Sequence, residues 1–125
     1  MLLAVAFMVA GVLHFVAPGY FIAIVPRWLP RPDLLVAASG VLEIAGGAGL
    51  MVRRSRRIAG AGLIALLVAV FPANIQMLQD WRASGGGGWY EIGLWVRLPL
   101  QALFIWMVHR VALRPDEASA EAGRR

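Results

Sequence analysis

From about Ile58 to Leu78 no side chain carries a charge, and this run is entered through Arg53-Arg54-Ser55-Arg56-Arg57. A helix rises about 1.5 Å per residue and satisfies its own backbone polar groups, so a run of this length can cross a hydrocarbon core about 30 Å thick. The rest of the chain repeats the pattern. Of 125 residues, 60% are hydrophobic and only 15% charged, with a mean hydropathy of +0.71. An ordinary soluble domain of this size is less apolar. The expectation is an integral membrane protein of one domain, residues 1–114, followed by a polar, disordered cytoplasmic tail, 115–125.

The same reasoning places four spans. The first runs from about Leu2 to Ala17 and stops where Pro18-Gly19 makes helix continuation costly. Its start, Met1-Leu2-Leu3-Ala4, lacks the basic n-region of a secretory signal, so it reads as a retained span. Four prolines, Pro18, Pro26, Pro30 and Pro32, then alternate with Tyr20, Phe21, Ile22, Ile24 and Trp28. Amphipathic rings favour the headgroup level, which places the Pro18 to Asp33 segment flat at the interface. The second span runs from about Leu34 to Val52, the third from Ile58 to Leu78 and the fourth from Trp89 to His109. Pro72 frees a carbonyl one turn earlier and predicts a kink near Val68. Asp80 to Gly88 reads as a flexible connector because of Gly85-Gly86-Gly87-Gly88.

Four spans leave the Arg53 to Arg57 loop and both termini on one side. That side carries Arg53, Arg54, Arg56, Arg57, Arg110, Arg114, Arg124 and Arg125, against Arg27, Arg31 and Arg82 on the other. The positive-inside rule then puts both termini in the cytoplasm of a bacterial-type plasma (inner) membrane. In a soluble protein the net charge of +5 would suggest nucleic acid. Here it sets topology, and the partner is the lipid bilayer. The absence of Cys excludes disulfides, thiolate nucleophiles, Cys-ligated zinc and iron–sulfur clusters. His14 and His109 fall at opposite membrane faces, which disfavours a bis-His haem or copper site. No catalytic residue and no metal site are expected.

Ionisable groups inside a span cost roughly 2.5–3.5 kcal/mol each on insertion scales, so each needs a partner or a purpose. His14, Glu43 and Arg97 are the main cases. Asn74, Gln76 and Gln101 share their half of the membrane, between the bilayer centre and the outer surface. One reading pairs Glu43 with Arg97 and lets His14, Asn74 and Gln101 complete a hydrogen-bonded network that locks the helices. The other makes these groups the lining of a cavity open to the outer leaflet and roofed by Pro18 to Asp33. A quinone head group suits such a cavity, with His14 and Arg97 donating to its carbonyls and Glu43 or His14 handling protons.

Several motifs together resemble the DoxX family of small membrane proteins. They are Gly11-Val-Leu-His14-Phe-Val-Ala-Pro18, Ile24-Val25-Pro26 with Trp28-Leu29-Pro30, Ser39-Gly40-Val41-Leu42-Glu43-Ile44, Phe71-Pro72-Ala73-Asn74, and Trp95-Val96-Arg97-Leu98-Pro99-Leu100-Gln101. The resemblance implies an all-α, antiparallel four-helix bundle with an interfacial segment between helices 1 and 2. It also implies a polar core of His14, Glu43, Asn74, Arg97 and Gln101, and a place as a membrane subunit or accessory of a quinone-linked redox complex. The chain has no redox centre of its own, so a partner redox protein would supply electrons. The alternative is a non-enzymatic assembly or structural protein, partnered through helix faces such as Gly46 to Gly49 and Gly60 to Gly62, or a homo-oligomer.

Overall fold

A computed structural model describes residues 1–114, all of whose regular structure is helical. The helices are α1 (Leu2–Val16), α2 (Pro18–Ile22), α3 (Pro32–Met51), α4 (Arg56–Ala83) and α5 (Gly88–Ala112). The tail expected to be disordered lies outside the described residues. Three helices, α3, α4 and α5, are long and apolar enough to cross a membrane. α1 is equally apolar but has 15 residues, about 22 Å of helix.

Proline sets the breaks. Ala17, just before Pro18, leaves the helical region at φ −131°, ψ 55°, and Pro18 opens α2. Arg31 precedes Pro32 and adopts φ 52°, the only positive φ of a described residue other than glycine. Pro72 and Pro99 sit inside α4 and α5 without ending either helix.

Two joins differ from expectation. α4 continues through Asp80 to Ala83, because the Gln76 amide donates to Asp80 Oδ1 at 2.9 Å and holds one more turn. The four glycines after it make the turn into α5, which begins at Gly88. Gly85, Gly86, Gly87 and Gly88 all take positive φ, from 52° to 113°, which side chains resist. The Gly87 amide also donates to the Glu91 carboxylate at 2.6 Å. At the other membrane end, Ser55 Oγ and Arg56 Nε donate to the Gly49 and Leu50 carbonyls, each at 3.0 Å. Arg56, expected only to set topology, is therefore a cap on α3.

α3 packs against α1 and α4, and α4 against α5. Each packed pair is antiparallel, as the facing residues show: Gly11 meets Gly40 and Ala4 meets Gly47, Gly46 meets Leu63 and Gly49 meets Ala59, and Gly60 meets Ala112. The glycine faces expected to receive a partner are thus used inside the chain at Gly46, Gly49 and Gly60. Gly62 faces open space. One apolar cluster (Leu3, Ala4, Phe7, Leu50, Leu63, Val108, Ala112) gathers one end of the helices. A second, of Met77, Leu78 and Leu94, gathers the other end, with Ile24 of the α2–α3 connection packed on it.

Candidate functional site

The polar residues fall into two separate groups, one on each helix seam. His14 sits in the last turn of α1, where the missing side chain of Gly40 admits its Cβ to the α3 backbone. The imidazole Nδ1–H donates to the Ala10 carbonyl at 2.9 Å, which leaves Nε2 as the second functional atom of the ring. Phe21 of α2 stacks on that ring, with centroids 3.9 Å apart and planes inclined by 20°. Glu43, one turn beyond Gly40, brings Oε2 to 3.7 Å from His14 Nδ1. That distance permits an ion pair but is too long for a hydrogen bond. Glu43 Oε2 is buried and accepts no hydrogen bond.

On the second seam Gln101 is 5% exposed, the one buried polar side chain among the described residues. Its Oε1 accepts from Asn74 Nδ2 at 2.7 Å, and its Nε2 donates to the Leu67 carbonyl of α4. Leu67 lies five residues before Pro72, beside the Val68 carbonyl that the proline ring deprives of its usual donor. Gln101 therefore ties α5 to α4 where the α4 backbone ladder is interrupted, the place where a kink was expected.

Arg97 does not meet Glu43. Its Nη1 lies 3.7 Å from the Met77 sulfur, a weak acceptor, and among the described residues no carboxylate is within ion-pair range of it. A shared membrane depth is the ground for expecting the pair, but Glu43 turns toward α1 and Arg97 toward α4. Gln76 joins neither group, because its amide is spent on Asp80. His109 is exposed in the last turn of α5, where a cation suits the helix dipole.

Three contributors have no signal in the sequence pattern: Phe21, seven residues past His14 and across a helix break; Met77; and the Leu67 carbonyl. A cavity of about 400 Å³ lies at the start of α5, lined by Gly87, Gly88, Trp89, Glu91, Ile92 and Trp95. It shares no lining residue with either polar group. No cluster of three or more His, Cys, Asp or Glu able to hold a metal occurs among the described residues.

This arrangement of a helical, apolar chain with two internal polar groups occupies nearly the whole span of a family match, residues 3–112. The chain belongs to the family described as Domain of unknown function (DUF8561). The DoxX resemblance is corrected accordingly. A proline at a helix exit, glycines at a crossing and a few polar groups inside spans are what packing short apolar helices requires, so they recur without common family. No curated protein and no solved structure matches this DUF8561 chain.

Proposed function

We propose that this DUF8561 protein is a non-enzymatic, multi-pass membrane protein: a four-helix bundle, with α1 as a short fourth span, whose intramembrane polar groups hold the helices in register. Its work is done by the bundle's surface in the bilayer, in contact with another membrane protein. The observation that carries this reading is the Asn74–Gln101–Leu67 link, in which the one buried polar side chain among the described residues uses both its amide oxygen and its amide nitrogen on partners inside the chain. The split between the two polar groups supports it too, since neither Arg97 nor Asn74 adjoins the His14–Glu43 pair.

The test is to purify the protein in mild detergent and identify what stays bound, by native mass spectrometry with lipid extraction. A partner protein without a stoichiometric small molecule is the expected result. A stoichiometric quinone or other redox cofactor would overturn it. One observation favours that second reading: Glu43 Oε2 is buried beside His14 with no donor, and a ligand hydroxyl could supply one. A bound quinone lost in Glu43→Gln or His14→Ala, with the bundle still folded, would establish it.

A further inference from the structure

Six arginines collect at one end of the helices. Arg53, Arg54, Arg56 and Arg57 occupy the α3–α4 turn and the start of α4, while Arg110 and Arg114 stand at the end of α5 and just past it. Helix packing brings the two sets together, because Gly60 in the first turns of α4 faces Ala112 and Val108 in the last turns of α5. No acidic side chain of the described residues shares this end. Asp33 opens α3, Glu43 lies within it, and Asp80 and Glu91 stand at the far ends of α4 and α5.

One of the six has an internal task, since Arg56 Nε caps the Leu50 carbonyl. Arg53, Arg54, Arg57, Arg110 and Arg114 are exposed, and none forms an ion pair among the described residues. Like charges held this close repel unless an anion sits among them. The Arg110 guanidinium lies 5.2 Å from the centre of the Trp106 ring, and Trp106 is itself exposed. An exposed indole on a membrane helix settles at the boundary between acyl chains and headgroups, which sets the neighbouring cation at phosphate depth.

We propose that this end of the bundle binds anionic phospholipids, with Arg53, Arg54, Arg57, Arg110 and Arg114 forming a cationic rim for the lipid phosphate and Trp106 packing on the glycerol and upper acyl chain. Guanidinium groups match phosphate with paired hydrogen bonds. The charge is complementary to the anionic leaflet, and the apolar helices beneath it supply the acyl contact. The site lies at the opposite end from the His14–Glu43 pair and does not depend on what that pair does.

The test is a titration of the purified full-length protein with phosphatidylglycerol, cardiolipin or phosphatidylcholine, read as bound lipid by native mass spectrometry. The wild type is expected to prefer both anionic lipids over phosphatidylcholine by tenfold or more. Each rim arginine removed should weaken that binding by about fivefold, so Arg54→Gln, Arg57→Gln and Arg110→Gln together should lower it about 100-fold. All three are exposed and Arg56 is left in place, so circular dichroism should show unchanged helix content. Arg27→Gln with Arg31→Gln, away from this end, should leave lipid preference intact. Equal binding of anionic and neutral lipid, or equal losses in the two sets of variants, would overturn the proposal. So would retention of an RNA or acidic peptide by a protein that fails to discriminate between lipids.

Discussion

Where α1 meets α3, Gly11, Gly40 and Gly47 let the two helices approach until backbone carbonyls touch the facing surface; α4 and α5 approach as closely at Gly60 and Ala112, and further along are also joined by side-chain amides. The first seam draws on close packing, which lipid cannot supply as well as another helix does. Its polar pair is left incomplete, with Glu43 Oε2 unpartnered. In the second seam Gln101 is bonded through both its amide oxygen and its amide nitrogen, the latter to the Leu67 carbonyl next to the Val68 carbonyl that Pro72 leaves without its usual donor, while Arg97 has the Met77 sulfur. The same need, holding apolar helices together in an apolar solvent, is met at the first seam by glycine contacts and at the second by a glycine contact at Gly60 together with the Gln101 hydrogen bonds.

Overfilling the glycine seam should do the most damage. A Cβ on Gly47 would fall 2.6 Å from the Ala4 carbonyl oxygen, and backbone cannot move aside as a flexible side chain can. Gly47→Leu is expected to cost about 3 kcal/mol or more and to remove folded protein from detergent extracts. An unfolding midpoint equal to wild type would mean that the seam is not closely packed. Next comes Gln101→Leu, which strands the Asn74 amide and removes the side-chain donor to the Leu67 carbonyl. We expect a loss of about 1–2 kcal/mol, read as a lower midpoint in denaturing detergent. A smaller loss in the double variant with Asn74→Leu than the sum of the single losses would show that the two amides act as one unit.

Glu43→Gln tests the incomplete seam with the opposite sign. It replaces a buried carboxyl by a neutral amide of the same shape, so stability should hold or rise by about 1 kcal/mol. A clear loss would reveal that the carboxylate has a partner of its own. Smallest of all, Gly62→Ala places a methyl in open space on a helix and should raise stability by less than about 1 kcal/mol. Set beside Gly47→Leu, it separates glycines that pack from glycines that merely occupy a lipid-facing helix.

Much of the fold was legible because proline, glycine and charge punctuate the apolar runs. The breaks at Pro18 and Pro32 and the turn after Val52 follow directly from residues whose backbone preferences are strong. The end of α4 was misjudged because the Gln76–Asp80 pair is a local bond that hydropathy ignores. The polar groups were recognisable as costly, but their partners were not readable. Depth fixes a residue along the helix axis and says nothing of rotation about it, and rotation is what turned Glu43 toward His14 and Arg97 toward Met77. The face of α3 presented to α1 was decided by where Gly40 and Gly47 permit contact, a property of two surfaces together.

The unequal helices have a consequence for the surrounding lipid. α4 has 28 residues, about 42 Å of helix, and shares its neighbour α3 with the 15-residue α1, about 22 Å long. With α1 as the proposed fourth span, a bilayer core near 30 Å matches neither length, so it would thin next to the short helix while the long one would tilt or lift its Gln76 to Ala83 end into the headgroups. Bilayer thickness would thereby become a variable that acts on this protein, favouring thinner membrane on one flank and thicker on the other.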